Sequence, residues 1–142
     1  MRAPAVPDVV RGASAAAFED TPVAFAYLFG SHATGRARDD SDVDVAVYLQ
    51  PDDPSERLSQ TLDLGGRIAA ASGLPRVEVV VMNGAPLPLL GSILRERIVV
   101  YSRDEPARVT FESEMRSVTM DFEIHARRLD RELLARTADG GR

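Results

Sequence analysis

The chain contains no cysteine, no lysine and no tryptophan, and its only histidines are His32 and His125. The absence of cysteine excludes a disulfide framework, a thiolate zinc site and a cysteine nucleophile. The absence of lysine excludes Schiff-base chemistry and the P-loop, whose motif requires a lysine. Two histidines are too few for a site built on several imidazoles. Carboxylates, hydroxyls and the guanidinium groups of 17 arginines remain as the functional groups.

Long apolar runs are also missing. No stretch reaches the roughly 18 consecutive apolar residues of a membrane span, and the N-terminus lacks the apolar segment of a signal peptide. We therefore expect a cytoplasmic protein without membrane contact. A length of 142 residues with 44% hydrophobic content predicts a single domain over residues 1–142. The net charge of −5 argues against a direct nucleic-acid partner.

Strand and helix patterns alternate along the chain, which predicts an α/β or α+β fold with a small sheet flanked by helices. The predicted core spans about residues 20–103, a long C-terminal helix spans about 106–136, and residues 137–142 are expected to form a frayed tail. Strands are predicted at 24–29, 42–49, 77–82 and 98–101, with shorter helices near 6–18, 58–72 and 89–94.

The long C-terminal helix carries an apolar seam in which spacings of four and three residues alternate. One position of this seam is polar. The helix is longer than a small sheet can cover, so we expect part of the seam to be buried against a second copy of the chain or a different protein. The seam consists of Phe111, Met115, Val118, Phe122, His125 and Leu129.

Two short motifs stand close together between the first two predicted strands. Gly30-Ser31 ends the first strand, and Asp42-Val43-Asp44 follows after a gap of ten residues. A turn of this kind presents unpaired backbone N–H groups, and the serine hydroxyl adds a donor, so the turn is suited to hold phosphate. Glycine also allows a ligand to approach the backbone closely.

Asp42 and Asp44 are predicted to lie on one face of a strand, because side chains alternate with a period of two. Two carboxylates at this separation repel each other, which favours a divalent cation between them. Oxygen ligands suit Mg²⁺ or Mn²⁺. Glu78 interrupts a strongly apolar strand and is a candidate third ligand. Taken together, these features indicate metal-assisted phosphoryl or nucleotidyl transfer.

The segment GSHATGRARDDSDVDVAV resembles the GS-x10-DxD signature of the DNA-polymerase-β-like nucleotidyltransferase superfamily. With VEVVVMNGAPLPLLGSILRERIVVYSRD and the helix bearing Arg108, Phe111-Glu112 and Asp121-Phe122, residues of about 20–135 resemble the minimal nucleotidyltransferases, or MNT proteins. These are the antitoxin partners of HEPN toxins.

The resemblance implies a small mixed sheet, ATP as donor and two Mg²⁺ ions. It implies that Gly30 and Ser31 hold the β- and γ-phosphates, and that Asp42 and Asp44 hold the metal ions. Glu78 stands where the family usually has an aspartate that helps to activate the acceptor hydroxyl. The implied activity is transfer of AMP to a tyrosine of a HEPN toxin, which blocks its RNase activity.

The chain departs from the family pattern after the Gly-Ser pair. Thr34 stands where an arginine is common, so Arg36 or Arg38 would have to supply the positive charge to the triphosphate. This departure leaves open a non-catalytic antitoxin that neutralises the toxin by binding alone. A third hypothesis is nucleotide transfer to a small molecule, although a chain of this length has little room for a further substrate domain.

Overall fold

The computed structural model describes residues 4–140 of the chain. Within that range, four strands form one mixed sheet in the order β3-β2-β1-β4, flanked by helices. This architecture confirms the α+β class and the long C-terminal helix expected from the sequence. The elements are α1 (Val6–Phe18), β1 (Val23–Phe29), α2 (Ser31–Thr34), β2 (Val43–Leu49), α3 (Arg57–Ser72), β3 (Val77–Val81), α4 (Leu87–Glu96), β4 (Ile98–Ser102) and α5 (Glu105–Gly140).

The two central strands are largely apolar because helices cover both of their faces, and Asp44 is the one charged residue of β2. β1 pairs antiparallel with β2 and with β4, and β2 pairs parallel with β3. Residues 23–28 of β1 are all buried. A strand buried on both faces shows a continuous apolar run rather than alternation.

Each face of the sheet has its own pair of helices. α1 and α3 pack on one face, where they bury Val10, Phe18, Leu64 and Ile68 against Val45 and Val47. α4 and α5 pack on the other face, where they bury Leu90, Ile93 and Phe111 against Tyr27 and Ala46. The protein therefore has three layers, and a side chain on β2 points into one helical layer or the other according to its parity.

A Gly65-Gly66 pair lies inside α3, where glycine costs about 1 kcal/mol relative to alanine. The helix nevertheless runs through the pair to Ser72, because Leu64 and Ile68 on either side are buried in the core. Gly73 ends the helix in the left-handed conformation, and its N–H donates to the carbonyl of Ala69.

A charged cluster fastens the start of α5 to the rest of the protein. The Glu112 carboxylate accepts hydrogen bonds from the buried Tyr27 hydroxyl at 2.8 Å, from Arg97 at 2.7 Å and from Arg108 at 2.5 Å. Burial alone would raise the pKa of Glu112, but these three donors outweigh it and hold the pKa below its usual value. Burial and the Glu112 hydrogen bond raise the pKa of Tyr27. The cluster joins α5 to the central strand and to the α4–β4 junction.

The rest of α5 extends beyond the sheet and reaches Gly140, whereas the sequence predicted an end at about residue 136. Residues 141–142, the end of the predicted tail, lie outside the described residues. Of the predicted seam, Phe111 is buried and Met115 is half-buried. The remaining seam positions, Val118, Phe122, His125 and Leu129, are exposed. Burial of these positions against a partner stays a prediction. Over residues 4–140, no helix is both long and apolar enough to cross a membrane.

Substitution of Glu112 by glutamine is expected to lower the free energy of unfolding by about 1–3 kcal/mol at pH 7, because hydrogen bonds to charged groups contribute about this much. The depressed pKa means that this stabilisation is present above pH 4.5, the ordinary pKa of a glutamate, and is lost as the pH falls through the folded-state pKa. The difference between Glu112→Gln and the native chain should therefore shrink in acid. Urea unfolding at several pH values measures it.

Glu114→Gln is the matched control, because Glu114 lies on the same helix but is exposed. A Glu112→Gln protein as stable as the Glu114→Gln protein at pH 7 would contradict the anchoring role of the cluster.

Candidate active site

The candidate site lies at one end of the sheet, on the face covered by α4 and α5. Asp44 has the same parity on β2 as Ala46 and Tyr48, which pack into the cluster under those helices. In the pairing of the strands, Asp44 is opposite Phe29 of β1 and beside Glu78 of β3. The sheet therefore places the Asp44 and Glu78 carboxylates side by side, next to the turn that begins at Gly30.

Asp42 lies just before β2 rather than within it, so the predicted strand began one residue too early. Its side chain is exposed, whereas Asp44 is half-buried and Glu78 is exposed on the edge strand. Among residues 4–140, no three carboxylate or imidazole side chains form a compact group that could hold a metal ion by themselves. The three predicted ligands, Asp42, Asp44 and Glu78, lie at the same end of the sheet, with Asp44 between the other two.

The electrostatics of Asp44 reflect this crowding. Burial is the largest cause that raises the pKa of Asp44, and the nearby charges of Glu78, Asp42 and Glu96 raise it further. His32 acts in the opposite direction and lowers it. The ionised Asp44 is therefore destabilised by its surroundings, and a bound cation would relieve that repulsion.

Gly30 has a backbone conformation that only glycine adopts readily, with φ 78° and ψ −158°. A Cβ atom at this position would overlap the carboxylate of Asp44. The predicted need for glycine thus has two physical reasons, the backbone conformation and the close approach of Asp44. The first strand can end against the Asp44 carboxylate only because residue 30 has no side chain.

The turn after Gly30 is one short turn of helix, α2. The carbonyl of Gly30 accepts hydrogen bonds from the N–H groups of Ala33 and Thr34, at 3.0 and 3.1 Å. In the described part of the chain, no hydrogen bond engages the N–H of Ser31 or of His32. These two donors are therefore free to bind an anion beside Asp44.

The two arginines expected to replace the missing family arginine lie in different places. Arg38 lines a cavity of about 580 Å³ together with His32, Val43 and Leu74. Arg36 is exposed on the loop, and its backbone N–H donates to the carbonyl of Ser31 at 3.0 Å. Of the two, Arg36 is the one tied to the Ser31 turn. The exposed Thr34 donates its hydroxyl to the same carbonyl at 3.4 Å.

A fourth carboxylate, which the sequence analysis did not single out, reaches the site from α4. The Glu96 side chain accepts a hydrogen bond from the N–H of Gly30 at 2.8 Å. These residues are 66 positions apart, so no local pattern could have paired them. The only sequence signal is an acidic residue at the junction between a predicted helix and a predicted strand.

Gly30→Ala should destabilise the chain by about 1–3 kcal/mol from the backbone conformation alone, with an added cost from the contact with Asp44. Gly35→Ala is the matched control. Gly35 has the same φ of 78°, but a Cβ there meets no atom within 4 Å. Thermal unfolding of both variants should show the larger loss for Gly30→Ala. Equal losses would mean that Asp44 does not restrict residue 30.

Asp44→Asn should raise the melting temperature by a few degrees at pH 7 in the presence of a chelator. The raised pKa means that ionised Asp44 costs stability above its folded-state pKa, and that this cost disappears below the ordinary pKa of 3.8. The advantage of the variant should therefore vanish in acid. Asp39→Asn, on the exposed loop, serves as the control. A less stable Asp44→Asn protein at pH 7 would refute the repulsion.

Comparison with solved structures identifies similar folds among toxin–antitoxin complexes. A toxin–antitoxin crystal structure with AMP-PNP has a chain that is 19% identical, with a TM-score of 0.66, and the match covers 87% of this chain and 98% of that one. The complex of a tri-AMPylated Shewanella oneidensis HEPN toxin with an MNT antitoxin gives 16% identity and a TM-score of 0.64, over 91% and 99% of the two chains. The toxin–antitoxin MntA–HepT structure gives 16% identity and a TM-score of 0.62, over 89% and 98%.

At these identities the structural likeness establishes the fold. A sequence search of curated proteins gives no match. The family model described as polymerase beta, nucleotidyltransferase matches residues 15–106, which is well over half of the chain and includes the Gly-Ser turn, the aspartate pair and Glu78. The chain therefore belongs to the polymerase β nucleotidyltransferase family.

Proposed function

We propose that this protein is an antitoxin that transfers AMP from ATP to a tyrosine hydroxyl of a partner RNase toxin of the HEPN class. The observation that carries the proposal is the position of the Gly30-Ser31 turn beside Asp44 and Glu78, at one end of a single sheet face. Family membership supports nucleotidyl transfer. The fold shared with an MNT antitoxin in complex with an AMPylated toxin supports the choice of acceptor.

In this proposal, the turn binds the triphosphate of ATP. The free N–H groups of Ser31 and His32 and the Ser31 hydroxyl donate to the β- and γ-phosphate oxygens. Arg36 supplies the positive charge that the chain lacks at Thr34. A phosphate site of this composition needs no lysine.

Asp42 and Asp44 would hold Mg²⁺, two ions in the complete site, with Glu78 beside them. The donor set fits this ion, since all the donors are carboxylate oxygens. An open site also fits, since Mg²⁺ in such enzymes takes one or two protein carboxylates and completes its shell with substrate phosphates and water. When bound, the ion neutralises phosphate charge and lowers the pKa of the attacking hydroxyl.

The reaction forms a bond between the acceptor oxygen and the α-phosphorus of ATP. The bond from the α-phosphorus to the bridging oxygen breaks, and pyrophosphate leaves. The hydroxyl proton passes to a carboxylate at the site, for which Glu78 is the candidate because it is exposed on the edge strand beside Asp44. Glu78 is one methylene longer than the usual aspartate, which extends its reach toward that hydroxyl.

The exposed half of α5 offers a surface for the partner. Val118, Phe122, Leu129 and Leu133 are between 39% and 59% exposed and continue the stripe that Phe111 begins in the core. A protein partner that covers this stripe would remove apolar surface from water. We place the reaction in the cytoplasm, where ATP and the RNA targets of such a toxin are found.

A second candidate function is neutralisation by binding without chemistry. It is favoured by Thr34, which is exposed at the position where the family commonly has an arginine. A site that has lost its triphosphate contact can persist as a docking module. The two hypotheses differ in whether the toxin gains mass.

The proposed activity predicts that radiolabel from α-labelled ATP is transferred to a cognate HEPN toxin when the purified proteins are mixed with Mg²⁺. The double variant Asp42→Asn with Asp44→Asn should lower the rate by more than about 100-fold, since loss even of outer-shell metal partners costs about 10–100-fold. Intact mass spectrometry should show AMP increments on the toxin, on tyrosine. Circular dichroism should show that the variant retains the native fold.

Inhibition of the toxin's RNase activity without labelling would refute the transfer and support the binding hypothesis. Labelling that persists in the double variant would show that the metal ligands are wrongly assigned. If the label were transferred to aminoglycosides or other small acceptors and not to the toxin, the acceptor would be a small molecule and not the proposed tyrosine.

A further inference from the structure

Glu96 makes a contact that the proposed chemistry does not account for. It is the last residue of α4, its side chain is half-buried, and its Oε2 atom lies 2.8 Å from the N–H of Gly30. Hydrogen bonds with an ionised acceptor are about twice as strong as neutral ones. An acidic side chain beside a triphosphate site also repels the substrate, so its presence calls for a specific role.

Glu96 binds the N–H of Gly30, the residue whose backbone conformation is strained. The φ of 78° and ψ of −158° at Gly30 belong to a region that persists only where the surroundings hold it. On one side, the Asp44 carboxylate packs against the Cα of Gly30. On the other, the Glu96 carboxylate binds its N–H. The direction of the next donors in the chain, at Ser31, follows from this conformation.

Glu96 is itself held in place by its neighbour. The Arg97 guanidinium donates to the carbonyl of Leu94 at 2.5 Å and to Glu112 at 2.7 Å. These bonds fix the end of α4 against α5. The Glu96 carboxylate is therefore preorganised toward Gly30 by the bonds that hold the residue after it.

We propose that Glu96 is a positioning residue for nucleotide binding, which holds the Gly30 peptide so that the Ser31 turn faces the triphosphate. This inference rests on the proposed nucleotide site. Glu96 acts through Gly30 and does not touch the substrate. Its required property is an acceptor oxygen at the right reach.

The test measures binding of the α,β-methylene analogue of ATP with Mg²⁺ to the full chain by calorimetry, with no toxin present. Glu96→Ala should raise the Kd about tenfold or more, the size of loss found for positioning groups around a site. Glu96→Gln should stay within about threefold of the native chain, because its amide oxygen can accept the same bond. Glu123→Ala is the matched control, since it removes a carboxylate that contacts α4 through Arg95 but not Gly30.

Three results would overturn the inference. The first is a Glu96→Ala protein that binds the ATP analogue with native affinity. The second is a Glu96→Gln protein that binds it as weakly as Glu96→Ala does. The third is a Glu96→Ala protein that binds it more tightly than the native chain, which would show that the carboxylate competes with phosphate. If Glu96→Ala does not fold, Glu96→Asp replaces it. The aspartate keeps the charge but is one methylene too short, so weakened binding supports the inference and native binding overturns it.

The same experiment separates this inference from the proposed reaction. A native chain that does not bind the analogue overturns both. A native chain that binds the analogue but does not label the toxin refutes only the proposed transfer, and the comparison of Glu96 variants still decides the role of this residue.

Discussion

The register between β1 and β2 is the constraint on which the candidate site depends. Phe29 lies opposite Asp44, so the residue after Phe29 reaches the Asp44 carboxylate as the first strand ends. Because side chains alternate along a strand, a slip of one residue would move Asp44 to the other face of the sheet. The buried apolar residues of both strands fix the register, and so the core determines where the reactive groups stand. Glycine is the residue type that this arrangement admits at position 30, at the end of β1.

A consequence is that the site concentrates charge of one sign. Asp42, Asp44, Glu78 and Glu96 all lie at the same end of the sheet. Burial raises the pKa of Asp44 most, and its three acidic neighbours raise it further. Arg97, the residue next to Glu96, does not balance them, because it is paired with Glu112. Uncompensated carboxylates lower stability, and functional sites commonly keep such a conflict because the ligand resolves it. In the proposed enzyme, that ligand is a cation together with the triphosphate.

The sequence predicted the parts of this arrangement that are local. The GS-x10-DxD spacing and the apolar strands on either side identify Gly30, Ser31 and Asp44, because their relation depends on two adjacent strands and one turn. Nothing in the sequence pairs Glu96 with Gly30, since that contact requires the path of α4 across the sheet. The heptad pattern on α5 predicted a seam, but only its first residues meet the core. Periodicity shows which side of a helix is apolar. It does not show how far along α5 the sheet extends.

The α4–β4 junction contacts both the Gly30 turn and the base of α5. Two consecutive residues there bind in different directions, Glu96 to the peptide of Gly30 and Arg97 to Glu112 on α5. The cluster around Glu112 also includes Tyr27, which lies three residues before Gly30 on β1. The Gly30-Ser31 turn and the base of the long helix are therefore anchored to the same strand and the same junction. A displacement of α5 that breaks the Arg97–Glu112 pair releases Arg97, the residue next to Glu96, which holds Gly30. The geometry of the turn therefore depends on how α5 packs against the sheet. The exposed half of this same helix is the surface that the partner is proposed to cover.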